Sequence, residues 1–235
     1  MAKLKGRGFY LSKKVGKALC DYQMLRSGDR IAVGVSGGKD SLSLLRILRD
    51  RQTFSPVKYH LVAVHIDLGY PSRNTKKLKD YFKKSGYEFV IKKLKLPSKD
   101  RSCFWCAWNR RKMLFEAAAE SKCNKVALGH HQDDIIQTIL LNLFFNSEIS
   151  AMSPRQELFS GRLTVIRPLA YVQEKEIIRF TQQERLPYYK YTCSNSLTSN
   201  RRKIAQVVKD LERVCPNVKT NIFRSVRRIK KEYLL

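Results

Sequence analysis

The chain has 235 residues, 47 of them Lys or Arg against 20 Asp or Glu, a formal net charge of +27. That length suits one large domain, or one domain with an appendage, and the charge exceeds what a small anionic substrate requires, so it points to a polyanionic partner: nucleic acid or an anionic membrane surface. No apolar run is long enough to span a bilayer, Met1 to Lys17 has no apolar signal-peptide core, and 6 cysteines are too few for a disulfide scaffold. Cytoplasm and nucleic acid, with no membrane partner, is the resulting expectation; a generally basic surface from a basic proteome is the plainer alternative.

Residues 8 to 26 predict a basic amphipathic helix, with Val15, Leu19, Tyr22 and Leu25 on one face and Lys13, Lys14, Lys17 and Arg26 elsewhere. The apolar run Ile31 to Val35 predicts a buried strand, and Leu42 to Leu48 a helix that begins near Ser41. Tyr59 to Ile66 is a second strand. Thr75 to Ser85 is a lysine-rich helix closed by Gly86, and Tyr87 to Ile91 a third strand. Ala107 to Ser121 reads as a helix, Lys125 to Leu128 as a strand and Ile135 to Phe145 as an apolar helix. Leu163 to Ile166 is the fifth strand, and Gln173 to Glu184 a helix. A polar loop from Pro187 to Asn200 precedes two basic helices, Arg201 to Val214 and Val218 to Glu232, separated by Pro216 and Asn217. Strands that alternate with helices predict an α/β, doubly wound, mostly parallel five-stranded sheet, whose ligands sit beyond the carboxyl ends of the strands. The expected division is a basic N-terminal helix over 1–28, a nucleotide domain over 29–186 with a Cys-x-x-Cys insertion, and a cysteine loop with basic helices over 187–235.

Between the first strand and its helix stands Ser36-Gly37-Gly38-Lys39-Asp40-Ser41. A strand-to-helix turn presents free backbone N–H groups at the positive end of the helix dipole. Gly37 and Gly38 permit close backbone approach and positive φ, Ser36 and Ser41 add hydroxyls, and Lys39 adds a cation. The product is a phosphate cradle. It lacks the Gly-x4-Gly-Lys spacing of a Walker A loop.

Three other places carry chemistry. Asp67 closes the second strand, where a carboxylate can hold a ribose hydroxyl or simply start a turn. Gly129-His130-His131-Gln132-Asp133-Asp134 closes the fourth; an Asp there is an ordinary N-cap, but two can also hold Mg²⁺ against phosphates. His130 and His131 suit structural or substrate-positioning roles better than zinc ligation. Cys103 and Cys106 form a Cys-x-x-Cys near a helix start, ambiguous between metal and redox chemistry, and no second such pair exists to close a zinc site. Cys20, Cys123 and Cys215 read as packing residues, while Cys193 lies in the late polar loop.

Taken in order, the Ser36–Ser41 loop, Cys103-x-x-Cys106, the Gly129–Asp134 stretch and the late Cys193 after Arg167-Pro168-Leu169 resemble the tRNA 2-thiolation enzymes of the pyrophosphate-loop (ATP pyrophosphatase) superfamily. The closest resemblance is to the tRNA 2-thiocytidine synthetase family, from about Val15 to Phe223. It implies a Rossmann-like fold of the adenine nucleotide alpha hydrolase type. It implies ATP held by Val35, Ser36, Gly37, Gly38, Lys39, Asp40 and Ser41, with His65, Asp67 and Gly129 at the neighbouring strand ends. It implies a 4Fe–4S cluster on Cys103, Cys106 and Cys193 with one iron open to sulfide, Mg²⁺, and Asp134, Asp133, Arg110 and Arg111 as catalytic groups. The implied reaction adenylates the C2 oxygen of a tRNA pyrimidine and replaces it with sulfur. The sulfur comes from sulfide or a cysteine desulfurase system, and a homodimer stays open. The loop Tyr191-Thr192-Cys193-Ser194 lacks the second cysteine of many members, which leaves cytidine or uridine undecided. Another pyrophosphate-loop ligase, acting on RNA or a small molecule, and a zinc-stabilised basic RNA-binding protein are the rival readings.

Overall fold

A computed structural model describes residues 3–68, 74–94, 103–189 and 200–233. Among them, six strands form one sheet in the order β3-β2-β1-β4-β6-β5. The strands are β1 (Asp29–Gly34), β2 (Tyr59–Asp67), β3 (Glu88–Lys93), β4 (Lys125–Ala127), β5 (Arg155–Leu158) and β6 (Leu163–Ile166). All pairings are parallel except β5 with β6. The sheet is therefore α/β and doubly wound as expected, with one strand more than the five predicted. β5, Arg155-Gln156-Glu157-Leu158, is short, polar and at the edge, so neither burial on two faces nor apolar alternation marks it.

The helices are α1 (Arg7–Asp21), α2 (Lys39–Arg51), α3 (Asn74–Lys84), α4 (Cys103–Glu120), α5 (Gln132–Phe145), α6 (Glu174–Gln183), α7 (Asn200–Val214) and α8 (Val218–Ser225). The last predicted helix is shorter than the sequence pattern suggests: it stops at Ser225, and a separate 3-10 turn covers Lys231–Tyr233. Gly86 has φ +64, the left-handed conformation expected of a helix-terminating glycine.

Ile31, Ala32 and Val33 are fully buried because helices cover both faces of a parallel sheet. One face packs against α1, α2 and α6 through Val15, Leu44, Leu48, Ile177 and Phe180. The other packs against α4 through Leu114, Ala117 and Ala118. A third cluster joins α5 to α7 and α8 through Ile136, Ile204, Val208 and Phe223. Segment 1–28 thus lends Leu11, Val15, Ala18 and Leu19 to the same core as the sheet.

Strand order reverses at β1 and β4, which lie side by side with Val33 opposite Ala127. Such a switch point opens a crevice at the carboxyl ends of the two strands. The glycine loop after β1 and the Gly129 stretch after β4 both emerge there. No helix among the described residues is long and apolar enough to cross a membrane.

Candidate active site

The cradle is built from its own hydroxyls. The Val35 N–H still bonds Val64 O at 2.8 Å, so the chain leaves the sheet only at Ser36. Ser41 Oγ donates to Gly38 O at 3.0 Å and accepts the Ser36 N–H at 3.1 Å, closing the loop on itself. Gly37 has φ +87, whereas Gly38 is extended with φ −78 and ψ 161. Positive φ is thus needed at one glycine and not at both. Gly38 is the N-cap of α2 and supplies no side-chain cap, so the first N–H groups of that helix remain for an anion.

Tyr189 fixes the loop from outside. Its hydroxyl donates to Ser36 O and its N–H to Gly37 O, both at 3.1 Å. A Cβ on Gly37 would lie 2.2 Å from the tyrosine ring. In a trans peptide the N–H points opposite the carbonyl. Holding the Ser36 and Gly37 carbonyls toward Tyr189 therefore turns the Gly37 and Gly38 N–H groups the other way. Behind the loop, Gly129 lets β4's end cross the start of α2: a Cβ there would sit 3.0 Å from Ser41 N.

A cavity of about 310 Å³ opens between these strand ends and α4. Val35, Ser36, Asp40 and Ser41 line one wall, and Gly129, His130 and Asp134 another. Ala107, Arg110, Arg111 and Leu114 of α4 close it. The fold thus brings the loop, Gly129, Asp134, Arg110 and Arg111 together around one space.

Other predicted residues stand elsewhere. His65 is buried beneath the loop, with Nδ1 2.7 Å from Val35 O; burial lowers its pKa, so it props the cradle as a neutral imidazole. Asp67 ends β2, half-buried and off the cavity wall. Lys39 Nζ lies 2.9 Å from Glu174 and 3.1 Å from Asp40. Burial opposes its charge, but the two carboxylates prevail and raise its pKa. The adjacent aspartates part company. Asp134 faces the cavity, accepts the His131 N–H at 3.0 Å and meets Arg201 at 3.5 Å. Asp133 instead accepts the Glu174 N–H at 2.7 Å and pairs with Lys219 at 2.9 Å, tying α5 to α6 and α8. Burial works against its charge, but these two partners hold its pKa below the ordinary carboxylate value.

Sequence reasoning missed several participants. Arg167 is buried at the end of β6 and donates to Ser153 O; burial, and the nearby Arg111, lower its pKa to about 10. His130, which the sequence already suits to a structural or substrate-positioning role, has its pKa lowered to about 4 by burial and by Arg167, Arg201 and Arg111, against the pull of Asp134. It is a neutral donor–acceptor between the Asp134 carboxylate and the Arg167, Arg201 and Arg111 cations. Tyr189 reaches its loop partners across more than 150 residues, and no local pattern signals that. Glu174 and Arg201 likewise look like ordinary helix-start residues.

Cys106 is half-buried, with a free thiol, in the first two turns of α4. Cys103 begins that helix, and its side chain lies outside the described residues, as does all of Cys193. By spacing, Ala107, Arg110 and Leu114 share the helical face that meets the cavity. Among the described residues no group of three His, Cys, Asp or Glu could hold a metal. Of the cysteines expected to pack, Cys123 is buried, but Cys20 is exposed because it lies off the buried stripe of α1, and Cys215, just past the end of α7, is only half-buried.

Residues 11–211 match the PP-loop domain family. A tRNA-cytidine(32) 2-sulfurtransferase of Geobacter sulfurreducens is 40% identical, over 96% of this chain and 91% of its own length. The Geotalea uraniireducens protein of the same name is 37% identical, over 100% of this chain and 98% of its own. A solved structure, the U34-tRNA thiolase NcsA from Methanococcus maripaludis with its [4Fe-4S] cluster, superposes with TM-score 0.77 at 25% identity, covering 96% of this chain and 79% of that one. With its loop, its switch-point cavity and these full-length relatives, the chain belongs to the PP-loop family and, within it, to the tRNA-cytidine 2-sulfurtransferases.

Proposed function

We propose that the chain thiolates a tRNA pyrimidine, cytidine first, by ATP-dependent adenylation of the C2 oxygen followed by replacement with sulfur. One observation carries this reading: a single cavity joins the phosphate cradle to α4, the helix whose sequence opens with the Cys-x-x-Cys pair. ATP and a sulfur-bearing group would then face the same base.

The chain's own residues have separable tasks. The Gly37 and Gly38 N–H groups and the bare N-terminus of α2 bind the phosphates. Lys39 exchanges Glu174 for a phosphate oxygen. The base oxygen attacks the α-phosphorus, pyrophosphate leaves, and a poor leaving oxygen becomes part of a good one. Arg110 and Arg111 stabilise charge that builds on the phosphate. Neutral His130 offers a hydrogen bond to the base edge. Sulfide, supplied free or by a cysteine desulfurase system, attacks C2, and AMP departs with the original oxygen. Asp40 and Asp134 are the carboxylates on the cavity wall, and Mg²⁺ needs only one or two such ligands beside phosphate oxygens.

The cysteine chemistry suits a cluster. Cys106 is a free thiol off the apolar core, three residues after Cys103, and Cys193 falls in the sequence between Tyr189 and Arg201. Cys103, Cys106 and Cys193 would hold a 4Fe–4S cluster by three thiolates, and it would supply an iron coordination position for sulfide. The test is anaerobic purification with iron, sulfide and zinc analysis, followed by Cys106→Ala. Loss of the iron chromophore and of thiolation, with ATP binding retained, is expected. Stoichiometric zinc without acid-labile sulfide, or full thiolation by Cys106→Ala, overturns the reading.

A further inference from the structure

Two large aromatic side chains stand in water on α4, the helix that closes the cavity. Phe104 is 79% exposed and Trp108 54%. They are one helical repeat apart on α4, and so share a row. Arg111, which lines the cavity, is the next member of that row. The row therefore flanks the helical face that carries Ala107 and Arg110 into the cavity. Lys112 Nζ lies 5.6 Å from the Trp108 ring centroid. Further along, Phe115 packs edge-on against Phe159, which is 55% exposed.

We propose that Phe104 and Trp108 form a stacking shelf for the unpaired tRNA nucleotides that flank the base entering the cavity. The proposal rests on the tRNA reading above. A base that reaches a buried site must leave its stack, and its neighbours then lose a partner face. Aromatic side chains replace that face whatever the sequence, because every base has one. Charge selects RNA over a protein occupant. Cys103 to Phe115 contains Arg110, Arg111 and Lys112 and no carboxylate. A second copy of the chain would bring its own +27 against this surface. A polyanion with exposed π faces satisfies both the rings and the cations.

The experiment measures tRNA affinity of the full chain with its cluster, over a salt series, for the unsubstituted protein, Trp108→Ala, Trp108→Phe, Phe104→Ala and the double alanine variant. Trp108→Ala should weaken binding about 10-fold, which is the usual scale for loss of one base–aromatic stack. Trp108→Phe should recover most of it, and the double variant should lose more than either single one. The log–log salt slope should stay unchanged, because no phosphate contact is removed. Phe104 lies between the cysteines, so iron content is read in every variant; Trp108 lies outside the pair and carries the test if Phe104→Ala loses iron. Equal tRNA affinity for Trp108→Ala and the unsubstituted chain overturns the shelf while leaving thiolation standing. Unchanged RNA affinity with a lost protein–protein contact assigns the rings to a protein partner and overturns it too. No tRNA binding by the unsubstituted chain removes the proposed function and the shelf with it.

Discussion

The loop end of the cavity and the C-terminal helices are both cationic, yet they handle charge in opposite ways. Around the loop three cations sit within networks: Lys39 is held by Glu174 and Asp40, Arg201 by Asp134, and Arg167 by Ser153 O. In the C-terminal helices and the segment after them Lys203, Arg224, Arg228 and Lys230 are exposed. A paired, half-buried charge is oriented but must exchange partners before it can hold a phosphate. An exposed one binds any polyanion and is screened by salt. The first suits the positioning of one nucleotide, and the second the grip on a whole tRNA, where phosphate contacts hold and do not select.

The sharpest way to break the contrast is at Gly37. Alanine there must adopt φ +87 and place Cβ 2.2 Å from Tyr189. The backbone strain alone is about 2 kcal/mol. Thermal unfolding should shift downward, and ATP affinity should fall at least 10-fold. Gly38→Ala meets only Ser36 Oγ at 3.4 Å, so its effect should be confined to phosphate binding. Equal melting temperatures for the two variants would contradict the assignment of strain to Gly37.

Reversing Arg224 and Arg228 together to glutamate tests the other region. Transfer-RNA affinity should drop about 10-fold at low salt, and the salt slope should flatten by about two units. ATP affinity should not change. Arg201 is unsuitable for this purpose, since its pairing with Asp134 ties it to the cavity. A loss of ATP binding in the Arg224 and Arg228 variant would merge the two regions into one.

Glu174→Gln probes the partner exchange. Removing one of the two carboxylates on Lys39 should tighten ATP binding a few-fold, measured by calorimetry, because the ammonium is released more readily. Weaker binding would mean that Glu174 orients Lys39 for the phosphate and does not compete with it.

A further test is pH dependence at His130. Its folded pKa is lowered to about 4, against about 6.5 when unfolded. Between these values the unfolded chain binds more protons, so stability rises with pH across that window and is lost as pH falls through it. The full contribution is at most about 3 kcal/mol. His130→Asn should flatten the denaturation midpoint between pH 6.5 and 4. An unchanged slope would place the titrating group elsewhere.

Much of this molecule was legible in its residues. The buried runs Ile31–Val35 and Leu163–Ile166 and the glycine loop follow from local burial and turn chemistry, which act over a few residues. β5 was not legible, because an edge strand needs no apolar pattern and exists only by pairing with β6. The division of labour between Asp133 and Asp134 was equally hidden. Two neighbouring carboxylates on a helix point about 100° apart, and which direction faces the cavity depends on where α6 and α8 pack.

By itself, then, the sequence determined the alternation of strands and helices, the presence of a phosphate-binding turn and the excess of positive charge, since all three are sums of local terms. Only the tertiary structure decided that Tyr189 holds the loop carbonyls, that Lys39 and Asp134 rest on Glu174 and Arg201, and that Arg110 and Arg111 of α4 look onto the same cavity as Ser36. These are contacts between segments far apart in the chain. They are fixed by the reversal of strand order at β1 and β4, which no single segment encodes.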